Sequence, residues 1–354
     1  MENRDVLLEV KGLKTYFFLD EGVIKAVEGV DFSIHRGETL CVVGESGCGK
    51  SVTALSITQL VEKPGRIVAG EIRYHRRVSN DSTSQTEVLD LAAIKPQSRA
   101  MEQIRGEEIA MIFQEPMTSL SPIHTVGSQI MESIRFHRGV SKPEARARTV
   151  QLLGQVGIAN PELHIDDYPF QLSGGMRQRA MIAMALACDP SLLIADEPTT
   201  ALDVTTQAQI LDVMRELQQA FDMAMLFITH NLGVVAELAD NVVVMYLGQI
   251  VEQGDVVSIF HDPKHPYTQA LLRSIPKIGP KSRRRLDAIA GMVPDPYTRP
   301  KGCPFHPRCA HFMPGRCDEI IPPLISLGAN RYVRCLLYED QAAPHPEAAG
   351  EKED

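Results

Sequence analysis

The order of apolar and polar positions divides the chain into repeated strand and helix patterns. "VLLEVKGLKTYF" and "AVEGVDFSIHRGE" alternate apolar with polar residues, which predicts a pair of antiparallel strands. "TLCVVGESGCGKSVTALSITQLV" then passes from a buried strand through a glycine loop into a helix. Residues 76–91, "RRVSNDSTSQTEVLDL", are polar and read as an exposed loop beside the sheet. "EEIAMIFQEP" is a short strand running into a loop, and from Thr125 to about Gly157 apolar residues recur at spacings of three and four, the helical period. A second series follows: "QLSGGMRQRAMIAMALACDP" opens a helix, "SLLIADEPTTALDV" is a buried strand ending in acids, "TQAQILDVMRELQQAF" is a helix, and "MAMLFITHN" and "NVVVMYLGQIV" suit buried strands. Hydrophobic strands alternating with helices indicate an α/β fold, with a mostly parallel sheet covered on both faces. After about residue 258 proline, glycine and basic residues rise. This places a domain at 1–258, an extension at 259–340, and a tail at 341–354 too polar to build a core and expected to be disordered.

Composition narrows the class. At 354 residues and 44% apolar, the chain has enough material for a sizeable core and an appendage. The start, "MENRDVLLEVKGLK", is charged where a signal peptide needs an apolar stretch, so export is not expected. No apolar run approaches the ~20 residues that cross a bilayer. A net charge of −9 argues against a sequence-independent grip on nucleic acid. The one basic run, "KSRRR" at 281–285, reads as a solvated linker face in preference to a contact with lipid headgroups or a partner. Of seven cysteines, Cys41, Cys48 and Cys188 sit in apolar or glycine-rich segments and read as small buried or loop residues. Cys303, Cys309, Cys317 and Cys335 fall in the last fifth of the chain, a clustering that points to metal ligation more than to disulfides.

The strongest chemical signal is Gly44-Glu45-Ser46-Gly47-Cys48-Gly49-Lys50-Ser51, a match to G-x-x-x-x-G-K-[ST]. Its glycines let successive N–H groups face a phosphate, and the helix that begins near Lys50 and continues through Val52 adds its positive end. Lys50 is expected on the β and γ phosphates and the Ser51 hydroxyl on Mg²⁺. A dinucleotide-binding loop would order its glycines G-x-G-x-x-G, which is not the order here. "LLIADEP" places Asp196 and Glu197 at a strand's end. There one acid holds Mg²⁺ through water and its neighbour, Glu197, accepts a proton from the attacking water. Adjacent acids also serve as plain helix caps, a reading the phosphate loop disfavours.

With "LSGGMRQR" at 172–179 standing between these two motifs, the chain resembles the ATP-binding cassette (ABC) ATPases. The resemblance implies a P-loop cassette: a RecA-like, mostly parallel sheet, an antiparallel β-subdomain and a helical subdomain, followed by a small cysteine-rich extension. It implies further roles in order along the chain. Gln114 in "IFQEP" matches the Q-loop glutamine that touches Mg²⁺, Asp203 in "TALDV" the D-loop, and His230 in "FITHN" the switch histidine. Phe17 fits the aromatic that stacks on adenine, with Tyr16 as runner-up. Ser173, Gly174, Gly175 and Gln178 match the signature that meets ATP held by a second cassette. Met176 stands where glutamine is usual.

"HDPKHPYTQALLRSIP", "MTSLSP" and "GCPFHPRC" resemble the ATPases of oligopeptide, dipeptide and nickel importers. Such a chain is implied to be a peripheral ATPase on the cytoplasmic face of a bacterial or archaeal cytoplasmic membrane. It would power peptide uptake through two permeases, contacted by residues 115–134, beside a second, non-identical ABC ATPase and, indirectly, an extracytoplasmic solute-binding protein. Nickel chelates, oligosaccharides or glycosides are the alternative cargo. A soluble ABC ATPase of DNA repair or ribosome recycling is the rival class, disfavoured by the single compact cassette, the acidic charge and the cysteines at the end. The four late cysteines, with gaps of five, seven and seventeen residues, suit four-thiolate ligation of zinc or of a [4Fe–4S] cube, with His306 and His311 as spare ligands. The resemblance to dipeptide-importer ATPases favours the [4Fe–4S] cluster, as a structural clamp.

Overall fold

The structure is a computed structural model that describes residues 5–80, 83–114, 120–200, 202–275, 289–328 and 330–341. The basic run 281–285, residues 115–119 of the expected permease contact, and all but the first residue of the expected tail lie outside the described residues.

Strands β1 (Val6–Leu19) and β2 (Gly22–His35) form the antiparallel pair that their alternation predicts. β3 (Thr39–Val43) is buried throughout and leads through the glycine loop into helix α1 (Lys50–Ile57). Next come β4 (Gly65–Asn80) and β5 (Thr83–Asp90), which correct the expected loop at 76–91. β4 is already paired to β1 from Gly65 to Tyr74, so the chain reaches residue 76 extended. The β4–β5 ladder then runs from Arg73↔Asp90 to Asn80↔Thr83. Backbone pairing needs no apolar side chains on an edge whose residues 85–88 face solvent, so local polarity was a poor guide.

A short helix α2 (Arg99–Gln103) leads to β6 (Ile109–Ile112). The helical stretch expected from Thr125 divides at Gly139, which takes φ 63 to end α3 (Val126–Arg138). Ser141 and Glu144 then form a capping box that starts α4 (Lys142–Gln155). α5 (Pro161–His164) and α6 (Gly174–Ala185) precede β7 (Leu192–Asp196). The series continues with α7 (Val204–Phe221), β8 (Ala224–Ile228), α8 (Leu232–Leu238), β9 (Asn241–Tyr246) and β10 (Gln249–Asp255). "NVVVMYLGQIV" is thus two antiparallel strands, turning at Leu247 and Gly248, both with positive φ. α9 (Val256–His261), α10 (Pro266–Arg273), β11 (Ile325–Ser326) and β12 (Tyr332–Val333) complete the set.

One sheet has the order β2-β1-β4-β5 and is antiparallel; the other has the order β11-β12-β10-β9-β3-β8-β7-β6. Its centre, β9-β3-β8-β7-β6, is parallel. Alternation along each parallel strand separates two cores. Leu40 and Val42, Leu192 and Ile194, and Leu226 and Ile228 face the antiparallel sheet and α1. Cys41 and Val43, Leu193 and Ala195, and Met225 and Phe227 face the helical side. Cys41, Cys48 and Cys188 are buried free thiols. Among the described residues no helix is long and apolar enough to cross a membrane.

The late segment joins the same body. Cys303, Phe305, Cys317 and Leu336 pack into the helical-side core, and β12 pairs with β10 through Glu252↔Val333 and Gln253↔Tyr332. Glu252, fully buried, accepts the backbone N–H groups of Lys264 (2.7 Å) and His265 (2.8 Å). Burial pushes its carboxyl up, against the pull of those two backbone bonds. Replacing Glu252 with Ala strips two backbone donors of their acceptor. Urea denaturation is expected to show a loss of roughly 2–4 kcal/mol, with Glu252→Gln losing clearly less.

Candidate functional site

The glycine loop is wedged between the two sheets. Gly44, at φ 154, would place a Cβ 2.3 Å from the Met245 carbonyl oxygen of β9. Gly49, at φ 102, would place one 2.3 Å from the Ala26 carbonyl oxygen of β2. Any side chain at either position drives the loop off one sheet. Cys48 is buried under the loop, whereas Ser46 and Gly47 are exposed at its lip and Ser51 and Val52 are half-buried at the start of α1. The Lys50 side chain is drawn back over the loop, its Nζ donating to the carbonyls of Gly44 (2.9 Å) and Glu45 (3.1 Å).

The end of β7 delivers two acids to the same edge. Asp196 is buried close to the Ser51 hydroxyl, and its Oδ1 is buried with no partner among the described residues. Burial pushes this carboxyl up, opposed by the neighbouring Ser51 hydroxyl and the Lys50 charge. An orphaned carboxylate oxygen beside a serine hydroxyl at a phosphate loop is the donor set a Mg²⁺ ion fits. Glu197 takes φ 47, a left-handed conformation that strains a residue bearing a Cβ, and its N–H is fixed by the Ile228 carbonyl at 2.9 Å. Three side chains meet its carboxylate: His230 Nδ1 at 3.0 Å, Thr200 Oγ1 at 3.0 Å and Gln114 Nε2 at 3.3 Å. Burial raises the Glu197 carboxyl, but the bonds from His230 and Thr200 and the charges of His230 and Lys50 outweigh it and hold it below the ordinary range. Glu197 is therefore ionised at neutral pH. His230 remains largely exposed beside it.

Other expected residues stand apart. Ser173 caps α6, accepting the Met176 N–H at 3.2 Å, and the Cβ position of Gly174 is open. Asp203 caps α7 through Thr206. No hydrogen bond joins Ser173, Gly174, Gly175 or Asp203 to the glycine loop among the described residues. Gln178 is fully buried, and its amide donates to the Pro198 carbonyl, so it faces this chain's interior and not a second molecule. The Phe17 ring lies against Gly65, where an added Cβ would come within 2.6 Å of it, while Tyr16 lies on the opposite face of β1, donating to Glu28 at 2.8 Å and sitting under Lys25.

One connection had no sequence signal. Arg308, inside "GCPFHPRC", forms a two-pronged ion pair with Glu45 of the glycine loop, at 2.7 and 3.0 Å. Its side chain is 3% exposed, against the rings of Tyr246 and Phe305, and its Nε donates to the Ala290 carbonyl. The Glu45 N–H itself donates to the Tyr267 hydroxyl of α10 at 2.8 Å. An arginine among prolines and cysteines marks neither its own burial nor a partner 263 residues away.

The four late cysteines come together around one small pocket that His306 and His311 also line. All four thiols are free. Burial, and then the neighbouring thiols, push Cys303 up to about 11 and Cys335 up to about 12. Three buried thiols and the half-buried Cys309, each raising the cost of a neighbour's negative charge, suit a cationic centre. Among the described residues no three His, Cys, Asp or Glu side chains stand close enough to hold a single metal ion.

Comparison with known proteins agrees with this geometry. The family model described as ABC transporter matches residues 27–200, and that described as oligopeptide/dipeptide transporter, C-terminal region, matches residues 251–317. The chain is similar to the oligopeptide transport ATP-binding protein AppD of Bacillus subtilis, with 51% identity over 95% of this chain and 98% of that protein. It is similar to the dipeptide transport ATP-binding protein DppD of Escherichia coli, with 48% identity over 93% of this chain and 96% of that protein. Among solved structures it resembles a dimeric ATP-binding cassette bound to ADP and phosphate, at TM-score 0.60 and 25% identity over 71% of this chain and 99% of that one. The antiparallel and mixed sheets are therefore those of a known ATPase fold.

Replacing Arg308 with Met leaves the Glu45 carboxylate uncompensated beside the phosphate-binding turn. Calorimetric titration with ATP is expected to show about tenfold weaker binding, equivalent to ~1.4 kcal/mol.

Proposed function

The chain belongs to the family of ABC transporter ATP-binding subunits that serve oligopeptide and dipeptide importers, and we propose how its residues divide the work. It is the ATPase of an importer for peptides. The observation that carries the reading is the convergence of Gln114, Thr200 and His230 on an ionised Glu197, next to Asp196 and Ser51 at the mouth of the glycine loop.

Lys50 exchanges the carbonyls of Gly44 and Glu45 for the β and γ phosphate oxygens of ATP, while the loop N–H groups cradle the phosphates. Ser51, Asp196 and Gln114 would hold Mg²⁺. Bound there, the ion supplies positive charge to the phosphate oxygens. Glu197 accepts a proton from the water that attacks the γ-phosphate, and His230, bonded to its Oε1, keeps that carboxylate aimed and ionised. Ser173, Gly174 and Gly175 present the N-terminus of α6 to the γ-phosphate held by a second, non-identical ABC ATPase, and Asp203 lies beside that contact. Phe17 or Tyr16 supplies the adenine stack.

The site works at the cytoplasmic face of a bacterial or archaeal cytoplasmic membrane, with two permease subunits and, indirectly, an extracytoplasmic binding protein. Residues 120–134, the described part of the proposed permease contact, include the exposed Ile123. Residues 1–258 form the cassette and 259–340 its extension. In that extension Cys303, Cys309, Cys317 and Cys335 would hold a [4Fe–4S] cluster, zinc being the second reading. When bound, such a group supplies a staple to a segment too small to build its own core. The four thiols lining one pocket support the reading of a shared group there.

Two measurements test these assignments. Glu197→Gln is expected to lower ATP turnover by about 10²–10³-fold with ATP binding retained, and unchanged turnover would exclude Glu197 as the base. Anaerobically purified protein is expected to carry about four iron and four sulfide per chain. One zinc per chain without iron would overturn the cluster.

A further inference from the structure

An open pocket of about 170 Å³ lies beside the glycine loop. That is below the roughly 300–1,000 Å³ of a whole small-ligand site and suits part of a ligand whose phosphates lie on the loop. Lys25, Ala26 and Gly248 line it from the two sheets, Gly47 lines it from the lip of the loop, and Tyr297 and Arg299 line it from the extension. We propose that this pocket receives the nucleoside of the bound nucleotide, and that Tyr297 and Arg299 contact it, so that the extension completes the cassette's own ATP site. The proposal rests on the reading of Gly44–Ser51 as an ATP phosphate loop.

Three observations converge on it. First, a nucleotide whose terminal phosphates lie at Lys50 and Ser51 leaves the loop past its exposed lip, and Gly47 is the loop residue the pocket shares. Second, Arg299 holds a donor with nothing to bind: its Nη2 is buried and has no hydrogen-bond partner among the described residues. The carboxylate nearest in charge, Glu28, is already engaged by Lys14 at 3.0 Å, Lys25 at 3.2 Å and the Tyr16 hydroxyl at 2.8 Å. A buried guanidinium donor without an acceptor is costly, and a ligand ribose hydroxyl or purine ring nitrogen relieves that cost. The flat guanidinium face also stacks on a base, which a lysine does not reproduce. Third, Tyr297 is fixed without being covered. Its N–H donates to Asp295 Oδ1 at 2.8 Å, its ring edge would lie 3.4 Å from a Cβ at Gly22, and the side chain stays 42% exposed. An aromatic held in place with a free face is a stacking platform.

The segment is also tethered. Arg308 and Tyr267 bind Glu45 at the same loop, so 295–299 and the phosphate cradle are held to one frame.

The test compares ATP with inorganic tripolyphosphate on the full-length chain. Arg299→Ala and Tyr297→Ala are each expected to weaken ATP about 5- to 20-fold while tripolyphosphate affinity stays within twofold, and Arg299→Lys should restore only part of the loss. Unchanged ATP affinity overturns the proposal, and so does an equal loss for both ligands, which would mean the two residues merely support the loop. Lys50→Ala serves as the separate control: if it leaves both affinities intact, the phosphate-loop reading itself fails. The unsubstituted chain gives a second readout independent of folding. Photolabelling with 8-azido-ATP is expected to mark the peptide containing Tyr297 and Arg299, in competition with ATP. ATP-protected labelling confined to other peptides overturns the proposal.

Discussion

Two backbone carbonyls, those of Ala26 and Met245, set the terms for the rest of the molecule. They stand so close to Gly44 and Gly49 that the phosphate loop keeps its curvature only while both sheets stay in place. The loop is therefore not a flexible strap that closes on phosphate but a rigid wedge, cast by the edges of an antiparallel and a mixed sheet. Preorganisation of this kind is what lets backbone N–H groups stabilise charge without rearranging as the reaction proceeds. The alternating side chains of β3 serve the same end, since one strand feeds both cores and fixes where the loop begins.

Around that wedge the charges are sorted by burial. Asp196, deep and partly unpartnered, resists ionisation; Glu197, one residue later, is ionised by the groups that surround it. The difference comes from a single backbone twist: Glu197 enters the left-handed region, which swings its carboxylate away from the strand's interior toward Gln114, Thr200 and His230. Two adjacent acids thereby acquire different chemistry without any difference in residue type beyond one methylene.

Much of this was legible in the sequence. The glycine loop, the acid pair and the buried strands each carry a local pattern tied to a local cause, whereas Gln114 and His230 were singled out by resemblance and the structure brings both side chains to Glu197. What was not legible depends on neighbours remote along the chain. The β4–β5 hairpin reads as a polar loop because its order comes from pairing on β1 and not from apolar alternation. Gln178 sits in the motif "LSGGMRQR", yet helix rotation turns it inward to Pro198. The tie from Arg308 to Glu45 and the approach of Tyr297 and Arg299 to the loop join residues more than 200 positions apart, where single-sequence spacing carries no information. The convergence of four cysteines on one pocket was foreseen as a clustering, but their burial beside Phe305 was not.

The pairing of β12 with β10 carries a consequence for inheritance. β10 would otherwise be an open edge, a row of unpaired backbone groups ready to recruit a foreign strand. The short strand from the distant end of the chain closes that edge, and Glu252 on β10 anchors the intervening turn. The cassette and its cysteine-bearing tail are thus not separable cartridges. A recombination that grafted a different tail at residue 258 would hand the recipient a sticky sheet and an unbraced phosphate loop at once.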